Sequence, residues 1–186
     1  MIFLFSAVFA GTQALIAPAS DTTSDELPGT VSFSIYAQIS GIDGESMDAD
    51  HKDWIDILSF DYSMHQPTTG TGATRRRSDV VIEDIVLTKY VDKATPKLME
   101  ACAKGTNLPE VMIDIVRVNR DSPESFYTYE LKNCIVTSYS SQGSVLEDPY
   151  PWDTFTISFE EITVTYTEYD STGHTMGDIE WSYSLE

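Results

Sequence analysis

Positive charge is scarce in this 186-residue chain: 11 Lys and Arg stand against 30 Asp and Glu, a formal charge of −19 at pH 7. No Lys or Arg precedes Lys52. A field of that sign repels phosphate backbones and anionic headgroups, so free nucleic acid and membrane surfaces are poor partners. Two cysteines, Cys102 and Cys134, form no Cys-x-x-Cys pair and build no disulfide framework; both read as buried, inert thiols. The three histidines, His51, His65 and His174, have no metal-ligand spacing and read as turn or surface residues. Gly-x-Ser-x-Gly, P-loop and His-Glu-x-x-His motifs are missing. Gly70 to Arg75 lacks the third glycine and following helix of a dinucleotide loop, and reads as a mobile loop. With no nucleophile–base pair to nominate, the chain reads as a non-enzyme without cofactor or metal.

Long apolar runs are also lacking, apart from Met1 to Ala17, which Gly11, Thr12 and Gln13 interrupt. That run falls short of the ~20 apolar residues of a comfortable membrane span. Ala17-Pro18-Ala19 has the small-x-small form of a signal-peptidase site, although the positive n-region is missing. Residues 1–19 therefore admit a secretory signal, an arm used in assembly, or upstream sequence from a misplaced start; the cleavage motif favours the signal. Ser20 to Thr30 is polar, carries Pro28-Gly29 and reads as a linker. The folded domain is placed at 31–186.

What the domain does contain is alternation. Val31, Phe33, Ile35, Ala37 and Ile39 alternate with polar or half-polar neighbours, the period of a half-buried strand. Similar strands are expected at Trp54–Tyr62, Val80–Thr88, Val111–Val118, Phe126–Leu131, Ile135–Tyr139, Thr154–Phe159, Ile162–Tyr169 and Ile179–Leu185, rich in Val, Ile, Thr, Tyr and Phe. Many short strands with Gly, Asn, Asp and Ser between them predict a mainly β fold, an antiparallel barrel or sandwich. One helix interrupts them, at Thr95 to Gly105. Thr95 is read as N-cap, Pro96 as the first helical residue and Gly105 as the left-handed stop. Leu98 and Cys102, four apart, share the face that anchors the helix to the core.

Two charged segments stand out. Asp43 to Asp53 carries Asp43, Glu45, Asp48, Asp50 and Asp53, but no glycine and closing glutamate in the register of a calcium loop. It reads as a solvated acidic turn. Arg75, Arg76 and Arg77 are the single basic cluster, too small to offset −19 for nucleic acid, and suit a contact with an acidic copy of the same chain.

Gly41-Ile42-Asp43-Gly44-Glu45-Ser46, His51-Lys52-Asp53-Trp54-Ile55, Leu58-Ser59-Phe60 and Gln66-Pro67 resemble the opening of the haemolysin-coregulated protein (Hcp) family. Thr88 to Leu98 resembles that family's most recognisable segment, and Arg117, Tyr129, Leu131, Ile157 to Phe159, Ile162, Tyr166, Gly173 and Trp181 extend the likeness to the end. The resemblance implies a β-barrel with a flanking helix, assembled as hexameric rings that stack into the inner tube of a type VI secretion system, akin to phage tail tubes. It further implies spike and sheath proteins and effector cargo as partners, with assembly in the cytoplasm before export. Residues 1–30 depart from the family, as do the bulky segment Gly143 to Trp152 and Asp153, where glutamate is common. Six copies at −19 each would bring −114 to one ring. Stacking then needs opposite charges to meet or counter-ions to help, and the Gln66 to Asp79 loop, with Gln66, Pro67 and the three arginines, is the candidate to meet Asp43, Glu45, Asp48, Asp50 and Asp53 of the next ring. Two other readings stay open: a secreted filament subunit without a contractile machine, and a secreted β-sandwich module binding ligand through Tyr150 and Trp152.

Cleavage after Ala19 predicts that mass spectrometry of native protein finds a chain starting at Ser20. An intact Met1 would favour the arm.

Overall fold

A computed structural model describes residues 33–70, 76–77, 79–119, 122–146 and 150–185. Residues 1–19, the linker 20–30 and Arg75 lie outside this description. The alternation of the first strand is realised directly. Phe33–Ile39 (β1) buries Ile35, Ala37 and Ile39 and turns Gln38 to solvent.

The strand expected over Trp54–Tyr62 is instead two. Ile55–Ile57 (β2) pairs with β1, while Ser59–Asp61 (β3) pairs with a different partner. Between them Leu58 donates its N–H to the Thr88 carbonyl at 2.7 Å, so the chain changes sheet within one residue. The Gln66 to Asp79 segment is likewise more than a shapeless loop. Met64–His65 (β4) pairs with Val81–Ile82 (β7), and Thr68–Thr69 (β5) pairs with Arg76–Arg77 (β6), making a ribbon-like arm. Ile85–Tyr90 (β8) leaves the arm and accepts β3 as its neighbour.

Leu108–Asn119 (β9) is followed by the longest strand, Ser122–Gln142 (β10), 21 residues where two strands were expected. Lys132-Asn133 looks like a turn in sequence. Asn133 does take a left-handed φ of 52°, which asparagine tolerates, but the chain bends there and continues. Trp152–Ser158 (β11), Glu161–Tyr169 (β12) and Thr175–Ser184 (β13) complete the order.

Two antiparallel sheets result. One runs β2-β1-β9-β10-β12-β13 and the other β10-β11-β8-β3. β10 belongs to both, and so does the continuous segment β2–β3, so the circuit closes into a barrel with a strand crossing each corner. Inward residues of β1, β8, β9 and β11 meet in one core, with Ala37, Leu87, Ile113 and Phe155 fully buried. The last hairpin, β12–β13, continues the first sheet past the β10 corner.

Thr95–Lys104 (α1) ends as read. Gly105 is left-handed, with φ 58°, and its N–H reaches the Cys102 carbonyl while that of Thr106 reaches Ala101. Its start differs. Ala94 precedes the helix with no side-chain cap, so Thr95 is not the N-cap; its hydroxyl serves elsewhere. Leu98 is fully buried and Ala101 nearly so, whereas Cys102 is half-buried against the core. Leu98→Ala is therefore expected to cost about 2–5 kcal/mol, read as a lowered thermal midpoint. An unchanged midpoint would mean that the helix is not anchored through Leu98.

Candidate assembly surfaces

The direction of β8 separates the two charged segments. Ile85 adjoins the arm that carries Arg76 and Arg77 in β6; Tyr90, at the other end, leads into Asp92 and Lys93. Lys93 donates its backbone N–H to Glu45 Oε1 at 3.1 Å, and its ammonium stands 3.4 Å from Asp53 Oδ1. The acidic turn and the arginine arm thus sit at opposite ends of one strand.

The turn is held by its own backbone. Gly44 N–H reaches Asp53 O at 2.8 Å, Ser46 N–H reaches Trp54 O at 3.0 Å, and Asp53 N–H returns to Ser46 O at 3.0 Å. A Cβ on Gly44 would lie 2.2 Å from the Trp54 carbonyl oxygen, so only glycine fits this approach. Asp43, Glu45, Asp50 and Asp53 are exposed. Asp48 turns inward to His51, and that hydrogen bond holds its carboxyl below the usual range. Gln66, between β4 and β5, is exposed and Pro67 half-buried.

His65 and His174 are exposed, as expected of turn or surface histidines, whereas His51 lies in the turn but is not on the surface. It is buried, stacked on Tyr36 at 4.2 Å and edge-on to Trp54. Its Nδ1 lies 2.8 Å from Asp48 Oδ1 and its Nε2 lies 2.7 Å from Asp114 Oδ2. Ser125 donates to the other Asp114 oxygen. The order is serine–carboxylate–imidazole, so the imidazole is not placed to take the serine proton, as a nucleophile's base must. Burial pushes the Cys134 thiol up to about 12, which keeps it protonated and unreactive.

A second polar cluster escaped sequence reasoning. Lys89 follows Ile85 and Leu87 on the inward face of β8 and is fully buried, directly opposite the equally buried Asp153 of β11. Its ammonium donates to Tyr90 O at 3.0 Å, Asp92 Oδ1 at 2.6 Å and Thr95 Oγ1 at 2.9 Å, and stands 3.3 Å from Asp153 Oδ2. Thr95 in turn donates to Asp153 and accepts the N–H of Asp92, while Asp92 accepts that of Ala94 at 2.8 Å. These bonds close the turn Asp92–Thr95 that leads into the helix. Burial raises the Asp153 pKa, but the hydroxyls of Thr95, Tyr139 and Ser141 and the Lys89 charge outweigh it and hold it low. The signal was available: a lysine at the third inward position of Ile85-x-Leu87-x-Lys89. On the loop after β10, Tyr150 is exposed and packs edge-on to Tyr90, whereas Trp152 is half-buried in the ladder.

The family described as type VI secretion system effector, Hcp, matches residues 36–166. The chain belongs to the Hcp family. Protein hcp1 of Pseudomonas aeruginosa is 29% identical over 140 residues, covering 75% of this chain and 86% of that protein. A solved type six secretion system protein superposes with a TM-score of 0.77 at 28% identity, over 83% of this chain and 96% of that one. Hcp1 from Salmonella typhimurium gives 0.68 at 29% identity, over 82% and 95%. The mainly β fold with its single described helix is that of the solved Hcp proteins, and the family belongs to type VI secretion. Among the described residues no helix is long and apolar enough to cross a membrane, and no cluster of three or more His, Cys, Asp or Glu is arranged to hold a metal.

Lys89→Ala strands Asp153 and Asp92 beside a buried void, and is expected to cost about 3–5 kcal/mol in denaturant titration. Lys93→Ala, at an exposed pair, should stay within about 1 kcal/mol. Equal costs for the two would remove the buried cluster from its organising role.

Proposed function

We propose that this chain is a structural tube subunit: it closes into rings, hexameric as the family resemblance implies, which stack into a hollow type VI inner tube that carries or passes effector cargo. The observation that carries this reading is a pair of edges on the first sheet that are left open among the described residues. At one end β13 pairs only with β12, and all ten of its residues are exposed. At the other, β2 covers β1 only over Ile35–Ala37, leaving Phe33 61% exposed. Two different edges on one sheet suit heterologous, head-to-tail contacts, which close into a ring when the rotation closes. The apolar face of β12–β13 supports the same use. Cross-strand rows leave the core and surface on the hairpin: Leu131–Ile162–Tyr183, Tyr129–Val164–Trp181 and Tyr127–Tyr166–Ile179. Along them burial falls from complete at Leu131 to 69% exposure at Ile179.

Stacking is assigned to the two ends of β8. The arm with Gln66, Pro67, Arg75, Arg76 and Arg77 meets the exposed Asp43, Glu45, Asp50 and Asp53 of the next ring. Exposed ion pairs are worth only ~0–1 kcal/mol singly, but a ring repeats them together. Spike and sheath proteins are the further partners of this reading, with assembly preceding export. The apolar run at 1–17 favours, as a second reading, a secreted filament subunit that works without a contractile machine.

Microscopy of purified protein tests both assignments. Wild-type chains should form rings and tubes. Replacing Arg75, Arg76 and Arg77 together with Glu should leave rings and circular dichroism intact and shorten or abolish tubes. Normal-length tubes would move stacking to other contacts, and loss of rings would place the arginines side to side. A wild-type chain that stays monomeric would overturn the tube reading.

A further inference from the structure

The acidic turn is tied to β9 by the His51 side chain, and that tie has a protonation state built into its geometry. His51 has both ring nitrogens on carboxylate oxygens, Nδ1 on Asp48 at 2.8 Å and Nε2 on Asp114 at 2.7 Å, at a site where the residue is only 7% exposed. A neutral imidazole carries one N–H. It would satisfy one carboxylate and present a lone pair to the other, a buried repulsion. Only the imidazolium donates at both ends.

We propose that protonated His51 is a clamp that fixes the acidic turn, residues 44–54, to β9, and that losing this proton releases the turn.

The surrounding groups favour the proton. From the turn itself come Asp48 and the exposed Asp50, Lys52 and Asp53; β1 supplies Tyr36 and β2 Asp56; β9 supplies Asp114. From β10 comes Ser125, whose hydroxyl is committed to Asp114 and whose carbonyl accepts from the Tyr169 hydroxyl of β12 at 2.8 Å. Arg117, also on β9, is held by Glu124 at 3.0 Å and lies over the Phe126 and Tyr169 rings. The imidazolium is therefore the cation that Asp48 and Asp114 share. Burial alone pushes the His51 pKa down, but hydrogen bonds to Asp114 and Asp48 and their charges outweigh it and raise it.

The sign follows. A raised folded-state pKa means the clamp is complete below the ordinary value of about 6.5 and is lost as pH rises through the raised value. Above it, Asp48 and Asp114 face each other with no cation between them. A groove of about 330 Å³, lined by Asp48, His51, Trp54, Asp114, Pro123 and Ser125, opens the site to water and leaves room for the turn to move. The turn keeps its internal backbone bonds but loses its tie to β9. If the turn also faces the next ring, as the proposed function has it, alkaline pH loosens the stack.

The full-length chain tests this with two measurements. The NMR titration of the His51 ring should place its pKa above about 6.5. Hydrogen exchange, expressed as protection relative to the unstructured rate at each pH, should fall about tenfold or more for residues 44–54 across that titration, with β10 unchanged. Asp114→Asn should move both the ring titration and the loss of protection to lower pH together; Asp48→Asn, on the half-exposed side, provides the same reading if the first variant fails to fold. A His51 that titrates at or below 6.5, or a turn that stays protected once the ring is neutral, overturns the clamp. Sedimentation separates it from the tube reading. Stacks that dissolve as the turn loosens support the link between them, stacks that persist beside a loosened turn overturn that link alone, and rings absent at every pH overturn the tube reading without touching the clamp.

Discussion

The fold turns on a buried charge. Lys89 sits among core side chains with its ammonium fully enclosed, and bringing an ion there costs several kcal/mol unless its donors are all used. Here they are, on Tyr90 O, Asp92 and Thr95, with Asp153 completing the pair across the β8–β11 ladder. Each of those partners fixes something larger. Asp153 sets the register of β11 on β8, Asp92 and Thr95 start the helix, and Lys93, the next residue, receives the acidic turn through Glu45. A cluster whose members are useful only together locks one arrangement of strand, helix and turn, because any slip strands a charge.

That requirement also explains what the sequence made legible. Thr88 to Leu98, the segment that most resembles the Hcp family, is the segment that supplies Lys89, Asp92 and Thr95. The strands with strict alternation were readable because one face of each is buried, and Gly105 was readable because a left-handed stop needs glycine. Thr95 was read one step too simply: a threonine before Pro-x-Leu has the form of an N-cap, but its hydroxyl is drawn to Lys89 and Asp153. The corner strands were hidden for a related reason. Local signals report turns, and Lys132-Asn133 and Leu58 mark places where the chain changes sheet without reversing direction. His51 was hidden because its partner, Asp114, lies 63 residues away.

The two polar clusters divide the labour. The Lys89 group holds the segment that leads into the helix, with Lys89 and Asp153 fully enclosed. The His51 group holds the acidic turn to β9, with a titratable ring where the other cluster has a lysine. The turn is thus met at one edge by Lys93 and at the other by an imidazole, the side chain whose ordinary value lies near neutral pH.

Bare sheet edges are hazardous, since any strand can add to them, and among the described residues two are left open on a single sheet. Its charge limits the hazard. On β13 the polar face carries Asp178 and Glu180 opposite the apolar row of Ile179, Trp181 and Tyr183, so a strand approaching at random meets negative charge on one side. At −19 per copy, long-range repulsion opposes every association that does not bury the apolar rows or bring the arginines to carboxylates. The scarcity of positive charge then has a constructive role. Three of the eleven basic residues stand consecutively at Arg75 to Arg77, so few orientations of two copies are attractive, and under the proposed stacking axial order would follow from where that cluster is placed.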